Sequence, residues 1–280
     1  MSGVRCDACP RGCQLGDHAL GACRARACED GVIRPVGYGR VTSVAIDPIE
    51  KKPIARWHPK TTVLSVGGYG CNLRCPWCQN HQISQVGEFD VGWRLLPASQ
   101  LAQMAIDAHK RDDRMIGVAY TYNEPLVCWE YVRDTGVLVH EAALANVLVT
   151  AGCVSEKVVR AVAPLIDAAN VDLKSFSEST YRSLGGDLKA VKRTIGMLAQ
   201  TPTCHVEVTT LVVPGVNDTQ EEVVSIARWL ASLDEDIVLH VTRFFPAWRM
   251  RNRAPTPVSR VYALADAARQ HLPNVLVGNC

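Results

Sequence analysis

No run of apolar residues in this 280-residue chain approaches the eighteen or so that cross a bilayer, so a membrane span is not expected. Charge of one sign is not in excess: 30 Lys and Arg stand against 28 Asp and Glu, a formal net charge of +2. No general field therefore draws the chain toward nucleic acid or an anionic membrane. Aromatic residues are few, at 6%, which argues against the basic, aromatic-laced face of a nucleic-acid binder. The opening stretch from Met1 to Cys13 lacks the apolar core of a signal peptide, so a cytoplasmic location is expected. Repeats, low-complexity tracts and an obvious flexible linker are also missing. What is plentiful is apolar residues, at 48%, enough for a packed core, and cysteine, with twelve. In a reducing compartment that many cysteines read as metal ligands rather than disulfides.

The length fits one large α/β domain with an appendage, or two modest domains. Residues 1–58 read as a loop-rich, cysteine-rich segment with short strand-like pieces at Val32–Pro35 and Arg40–Ile46. From residue 59 the pattern becomes regular. Apolar, β-branched runs at Thr62–Val66, Met115–Tyr120, Val147–Thr150, Ala169–Leu173, Val206–Val213 and Ile237–Thr242 predict six strands. Helical periodicity fills the gaps: Leu101, Met104, Ala105 and Ala108 share one face, and Val158, Val159, Val162 and Ala163 another. Asp218 and Glu221 resemble a capping box for a helix running through Trp229, and a last helix is expected over Val258–His271. Strands alternating with helices imply a parallel sheet, and six of them suit a partial barrel better than a closed eightfold one. Chemistry in such folds belongs at the carboxyl ends of the strands. The division expected is a metal-binding segment over 1–58, a barrel over 59–245, and an extension over 246–280 whose final helix and strand pack on the barrel.

Five cysteines (Cys6, Cys9, Cys13, Cys23, Cys28) crowd the first 28 residues and three (Cys71, Cys75, Cys78) sit together. Cys128, Cys153 and Cys204 are scattered, as buried structural cysteines are. Cys280 has no evident role. The spacing Cys71-x3-Cys75-x2-Cys78 follows directly on the first strand of the regular region, in a loop preceded by Gly67, Gly68 and Gly70. Three thiolates on one tight loop hold three irons of a [4Fe–4S] cube, which normally takes four cysteines. One iron is then left open. A structural zinc site is the alternative, but it wants a fourth ligand, and only His81 is near.

This motif resembles that of the radical S-adenosylmethionine (SAM) superfamily, in which SAM chelates the open iron. Trp77 stands where the superfamily carries an aromatic before the last cysteine. The resemblance implies SAM contacts at the ends of later strands. Asn123 and Glu124 end the second strand, with Glu124 where the superfamily binds the SAM ammonium; otherwise it is a polar strand end capping the next helix. Asp172 and Lys174 resemble the Asp-x-Lys segment of glycyl-radical-enzyme activases, and alternation puts both on one strand face; a plain ion pair is the alternative. His240 matches an activase histidine near SAM, against the ordinary reading of a satisfied core histidine. Thr209 is a weaker candidate.

The runs Ala45–Pro53, Thr121–Pro125, Asn170–Lys174, Glu207–Asp218, Thr242–Pro246 and Val277–Asn279 resemble one family in particular. It comprises the AmmeMemoRadiSam system radical SAM enzymes, relatives of pyruvate formate-lyase activating enzyme. The resemblance implies a partial (β/α)6 barrel, a site-differentiated [4Fe–4S] cluster and reductive SAM cleavage. Its 5′-deoxyadenosyl radical would take hydrogen from a substrate the sequence does not identify. It also implies an external reductant such as flavodoxin or ferredoxin, and allows a protein substrate. Two departures stand out: Ala151 replaces an Asn common in Thr-Asn-Gly, and the chain ends at Cys280 where many relatives continue into a cysteine-rich tail.

Cys6, Cys9, Cys13 and Cys23 offer four thiolates that suit structural zinc equally with a second, fully ligated [4Fe–4S] cluster. Cys28 could substitute for Cys23. Such a site would serve as an electron relay or as a rigid lid. Three further readings stay open: a glycyl-radical activase, an electron-transfer protein that never cleaves SAM, and an acidic partner meeting Arg249, Arg251 and Arg253.

Overall fold

Six strand-forming runs become the spine of one sheet in the computed structural model, which describes residues 3–280. The first 42 residues carry short pairs: β1 (Val4–Arg5) with β2 (Gln14–Leu15), and β3 (Ala27–Glu29) with β4 (Val32–Arg34). The next strand, β5 (Arg40–Val41), pairs with β8 (Arg94–Leu95). The main sheet uses β6 (Ser43–Pro48), β7 (Thr62–Gly67), β9 (Met115–Tyr120), β10 (Ala145–Thr150), β11 (Ala168–Asp172), β12 (His205–Val212), β13 (Val238–Arg243) and β14 (Val275–Gly278). Among the described residues its order is β14-β13-β12-β11-β10-β9-β7-β6. All neighbours are parallel except β6, which runs antiparallel along β7. Helices follow the strands: α1 (His81–Ser84), α2 (Ala98–Arg111), α3 (Trp129–Glu141), α4 (Glu156–Val162), α5 (Glu178–Ser183), α6 (Leu188–Ala199), α7 (Gln220–Leu233) and α8 (Val258–Arg269). This is a partial barrel of α/β type. The sheet runs through residues 58 and 245, since β6 and β14 are its two edges.

The helices form where the apolar spacing puts them. Leu101, Ala102 and Ala105 of α2 and Val158, Val159 and Val162 of α4 are buried. The start of α7 differs from the sequence expectation by one residue. Thr219, not Asp218, is the N-cap, its hydroxyl accepting from the Glu222 amide. Asp218 instead accepts from the amide of Gly215 in the preceding turn.

The segment between β6 and β7 crosses the barrel interior. Ile49 and Ile54 are fully buried with Val63, Ala119, Val147 and Ala168, in a cluster separate from the main core. Each such isoleucine contributes about 1.5–3 kcal/mol by leaving water. Polar bonds strap the same segment down. Asn170 donates to the Pro53 carbonyl at 2.8 Å, and both the Ala55 and Arg56 amides donate to Glu207 at 2.8 Å. Beside it, Asp47 accepts from Lys52 at 2.8 Å and from the Tyr122 hydroxyl at 2.6 Å. Burial opposes the charge on Asp47, but these donors outweigh it and hold its carboxyl well below the usual range. No helix among the described residues is long and apolar enough to cross a membrane.

Candidate active site

A cavity of about 260 Å³ opens at the carboxyl ends of the strands. Its wall includes Cys71, Cys75, Cys78, Trp77, Asn123, Glu124, Asp172 and Lys174. Thr209, the weaker candidate, is also there. So are Pro53, Tyr122, Leu211, Thr242 and Asn279, which sequence reasoning did not put forward as site residues. The signal that could have found Thr242 and Asn279 was their position at strand ends inside the family-like runs.

The cysteine loop is held from several sides. The Cys78 amide donates to the Cys75 carbonyl at 3.1 Å, closing a tight turn. Gln85 donates to the Leu73 carbonyl at 2.9 Å, and the Arg74 amide to the Leu184 carbonyl at 2.9 Å. Gly70 has φ +85°, and a Cβ there would collide with the carbonyl oxygen of Cys23, so only glycine fits. Burial pushes the Cys75 thiol up to about 11, although Lys174 opposes the rise. Cys71 is raised further by burial and by the neighbouring Glu124 charge. Metal binding at these sulfurs must therefore displace protons.

Asn123 has a more mechanical part than its sequence position suggested. Its Oδ1 accepts from the Gly68 amide at 3.1 Å, and its Nδ2 donates to the Tyr69 and Gly70 carbonyls at 3.0 Å each. Both ends of the amide are thus occupied in fastening the glycine-rich approach to the cysteines onto the end of β9.

Glu124 is only 2% exposed. Its Oε1 accepts from the Leu126 amide at 3.0 Å and the Thr150 hydroxyl at 2.6 Å. Its Oε2 accepts from the Ala151 amide at 2.8 Å. A carboxylate has about four acceptor positions, so one on Oε2 is left. The substitution at Ala151 leaves this bond intact, because the donor is backbone N–H. Burial raises the Glu124 pKa while these donors oppose the rise.

Lys174 Nζ lies 2.7 Å from Asp172 Oδ2, so the ion pair exists and borders the cavity at once. Burial works against the charge of Lys174, but Asp172 and Cys75 outweigh it and raise its pKa. It is a fixed cation beside the thiols.

His240 is not in the cavity wall, contrary to its expected place. Its Nε2 meets Glu207 Oε2, and Glu207 also pairs with His205 at 2.9 Å. The reason is the partner its ring takes. His240 and Thr242 share a face of β13, two residues apart. Thr242 borders the cavity, whereas His240, in register with the cavity residue Thr209, is turned to the buried carboxylate of Glu207. Glu207, a buried carboxylate inside an apolar strand run, was the missed residue; burial would raise its pKa, yet its donors bring it down to about 2.

At the amino-terminal end, Cys6, Cys9, Cys13 and Cys23 line a second, smaller cavity. Cys28 is buried but outside that wall. Among the described residues, no group of three His, Cys, Asp or Glu side chains is disposed to hold a single metal ion.

The sequence of residues 65–230, more than half the chain, matches the model of the Radical SAM superfamily. The chain belongs to the radical SAM superfamily. It is 34% identical over 278 residues to the uncharacterized protein MJ0808 of Methanocaldococcus jannaschii, covering 99% of this chain and 81% of that one. The fold is similar to a radical SAM methyltransferase from Sphaerobacter thermophilus, with TM-score 0.57, 18% identity and coverage of 78% of this chain and 66% of that one. It is also similar to Streptococcus suis SuiB bound to S-adenosylmethionine, with TM-score 0.57, 12% identity and coverage of 78% and 52%. The chain thus spans about two thirds of the first structure and about half of the second. The superfamily implies a [4Fe–4S] cluster and SAM. The donor set fits: the cavity wall holds three thiols and no fourth cysteine, as a cube with one open iron requires. Enzymes of this superfamily commonly use external reductants, and some act on peptides or proteins.

Proposed function

We propose that this protein is a radical SAM enzyme in which Cys71, Cys75 and Cys78 hold the cluster and the surrounding cavity holds SAM. The observation that carries this reading is the meeting of those three thiols with a buried carboxylate, an ion pair and an indole around one cavity. When bound, the cluster and SAM together supply reductive cleavage to methionine and a 5′-deoxyadenosyl radical. The protein's part is position. The free acceptor position on Glu124 Oε2 takes the SAM ammonium in a charge-assisted bond. Lys174 and Asp172 fix the polar part of SAM opposite, and Trp77, 5% exposed, gives its face to the adenine. Thr209 and Thr242 border the same cavity with hydroxyls, and Pro53 closes its floor. His240 acts through Glu207, which holds the Ala55 and Arg56 amides next to that floor.

The family-like runs from Ala45 to Asn279 favour an enzyme of the AmmeMemoRadiSam type, and 34% identity to MJ0808 over 278 residues supports one shared architecture. The glycyl-radical activase reading rests on the Asp172-x-Lys174 pair and on His240, which is not in the cavity wall. The substrate approaches past a basic turn. The Arg249 amide donates to the Pro76 carbonyl at 3.0 Å, and Trp248 stacks on His81 at 5.7 Å, which sets exposed Arg249, Arg251 and Arg253 beside the cysteine loop. An acidic protein or peptide segment matches that turn. With Cys75→Ala, 5′-deoxyadenosine formation should vanish; formation at the wild-type rate would sink the assignment.

A further inference from the structure

Tyr122 keeps a backbone conformation that a bulky residue seldom adopts. Its φ is +71°, in the left-handed region where the Cβ crowds the following carbonyl. Residues stay there only when their surroundings over-determine them, and they gather at functional sites. Tyr122 lies two residues past the end of β9 and lines the cavity that holds the three thiols.

Four contacts fix it. Its carbonyl accepts from Nδ2 of Asn80, two residues beyond Cys78, at 2.7 Å. Its hydroxyl donates to Asp47 Oδ2 at 2.6 Å. Lys52 Nζ lies 4.7 Å from the ring centroid and donates to the same Asp47 oxygen at 2.8 Å. Gly67 leaves room for the side chain, since a Cβ there would stand 2.9 Å from both Cβ and Cδ2 of Tyr122.

Stability alone does not account for this arrangement. Lys52 is 3% exposed and Asp47 8%, and the desolvation of a buried ion pair offsets most of its attraction. A glycine at position 122 would take the same φ without strain. What the strain and the two buried charges secure together is the place of one ring. The family-like run Ala45–Pro53 thereby reaches the cavity twice, directly through Pro53 and through Asp47 and Lys52 by way of Tyr122.

We propose that Tyr122 meets the bound SAM as part of the cavity wall, and that Asp47 and Lys52 are positioning residues that hold its ring there. The proposal rests on the reading above that this cavity holds SAM. Neither Asp47 nor Lys52 lines the cavity, so they act on SAM through Tyr122, and the neighbouring Pro53 is the rival route.

The test is a mutant cycle on SAM affinity, measured without turnover by titrating SAM into full-length protein reconstituted anaerobically. Tyr122→Phe keeps the ring and loses its bond to Asp47. Asp47→Leu with Lys52→Met removes acceptor and cation together, leaving neither charge buried alone. Each change should weaken SAM binding roughly three- to tenfold, within the worth of the one hydrogen bond lost. Their combination should be no weaker than either, because both break the same link. Tyr122→Leu, which removes the ring, should weaken binding more than Tyr122→Phe. Effects that multiply in the combination would overturn the proposal by sending Asp47 and Lys52 through Pro53. Should the paired replacement fold poorly, the two Tyr122 variants decide: wild-type SAM affinity in both, whatever their stability to urea, would leave Tyr122 a structural residue and overturn the proposal. Failure of the catalytic reading looks different, since wild type itself would then bind no SAM, and both would fall.

Discussion

Replacing Glu124 with Gln separates two parts that one carboxylate plays. The three donors that meet it, from Leu126, Thr150 and Ala151, are fixed by backbone or by a short side chain. In Glu124→Gln the amide oxygen can keep the Leu126 and Thr150 bonds, but the NH2 group then faces the Ala151 N–H. One buried donor is left unpaired, at about 1–3 kcal/mol. Losing the charge also removes the partner of the SAM ammonium, an interaction worth about 1.5–3 kcal/mol, or roughly ten- to hundredfold in affinity. Thr150→Val is the control, deleting one hydroxyl donor while keeping the charge. Because the same hydroxyl accepts from the buried Gly152 amide at 2.9 Å, it should cost about 1–3 kcal/mol of stability and leave SAM affinity nearly unchanged. Urea denaturation measures the first quantity, and titration of SAM into reconstituted protein the second. If Glu124→Gln lowers stability but binds SAM as wild type does, Glu124 is a structural carboxylate only and its place in the site is refuted.

Further outcomes follow from neighbouring contacts. Asn123→Leu removes all three bonds that fasten residues 68–70, so iron at the Cys71 loop should fall while metal at Cys6–Cys23 persists; equal loss at both sites would count against this division. Gly70→Ala places a side chain at φ +85° against the Cys23 carbonyl, a strain of about 1–2 kcal/mol from the backbone alone; an unchanged melting temperature would contradict the packing. Glu207 has its carboxyl pKa lowered from 4.5 to about 2. A depressed folded-state value gives stability that is present above 4.5 and lost as pH falls toward 2, about 3 kcal/mol in all. Glu207→Gln should flatten the stability profile in that window, and an unaltered profile would show that the His205 and His240 pairings contribute little.

The strands were legible because fully buried parallel strands are written as short β-branched runs, and Thr62–Val66 or Val206–Val213 contain little else. The cysteine loop was legible because ligand chemistry dictates spacing. The partner of a strand-end side chain was not. His240 and Thr242 carry the same alternation, and the carboxylate of Glu207 on the neighbouring strand, not position along β13, takes the histidine. Asn123 looked like a ligand residue since a polar side chain at a strand end is ambiguous; its amide turned out to be occupied by backbone one to three residues before Cys71. Glu207 went unnoticed because its partners, the amides of Ala55 and Arg56, are about 150 residues away in sequence. The bond Glu124 makes at Ala151 was illegible from the residue type, since its donor is the backbone amide.

The measurement that bears most directly on the whole account is product analysis after anaerobic reconstitution, with dithionite and SAM added to the wild-type chain. The account expects methionine and 5′-deoxyadenosine in equal amounts, with iron and sulfide present at the Cys71, Cys75 and Cys78 loop. A filled cluster that leaves SAM intact, both alone and with an acidic peptide or partner supplied, would contradict it.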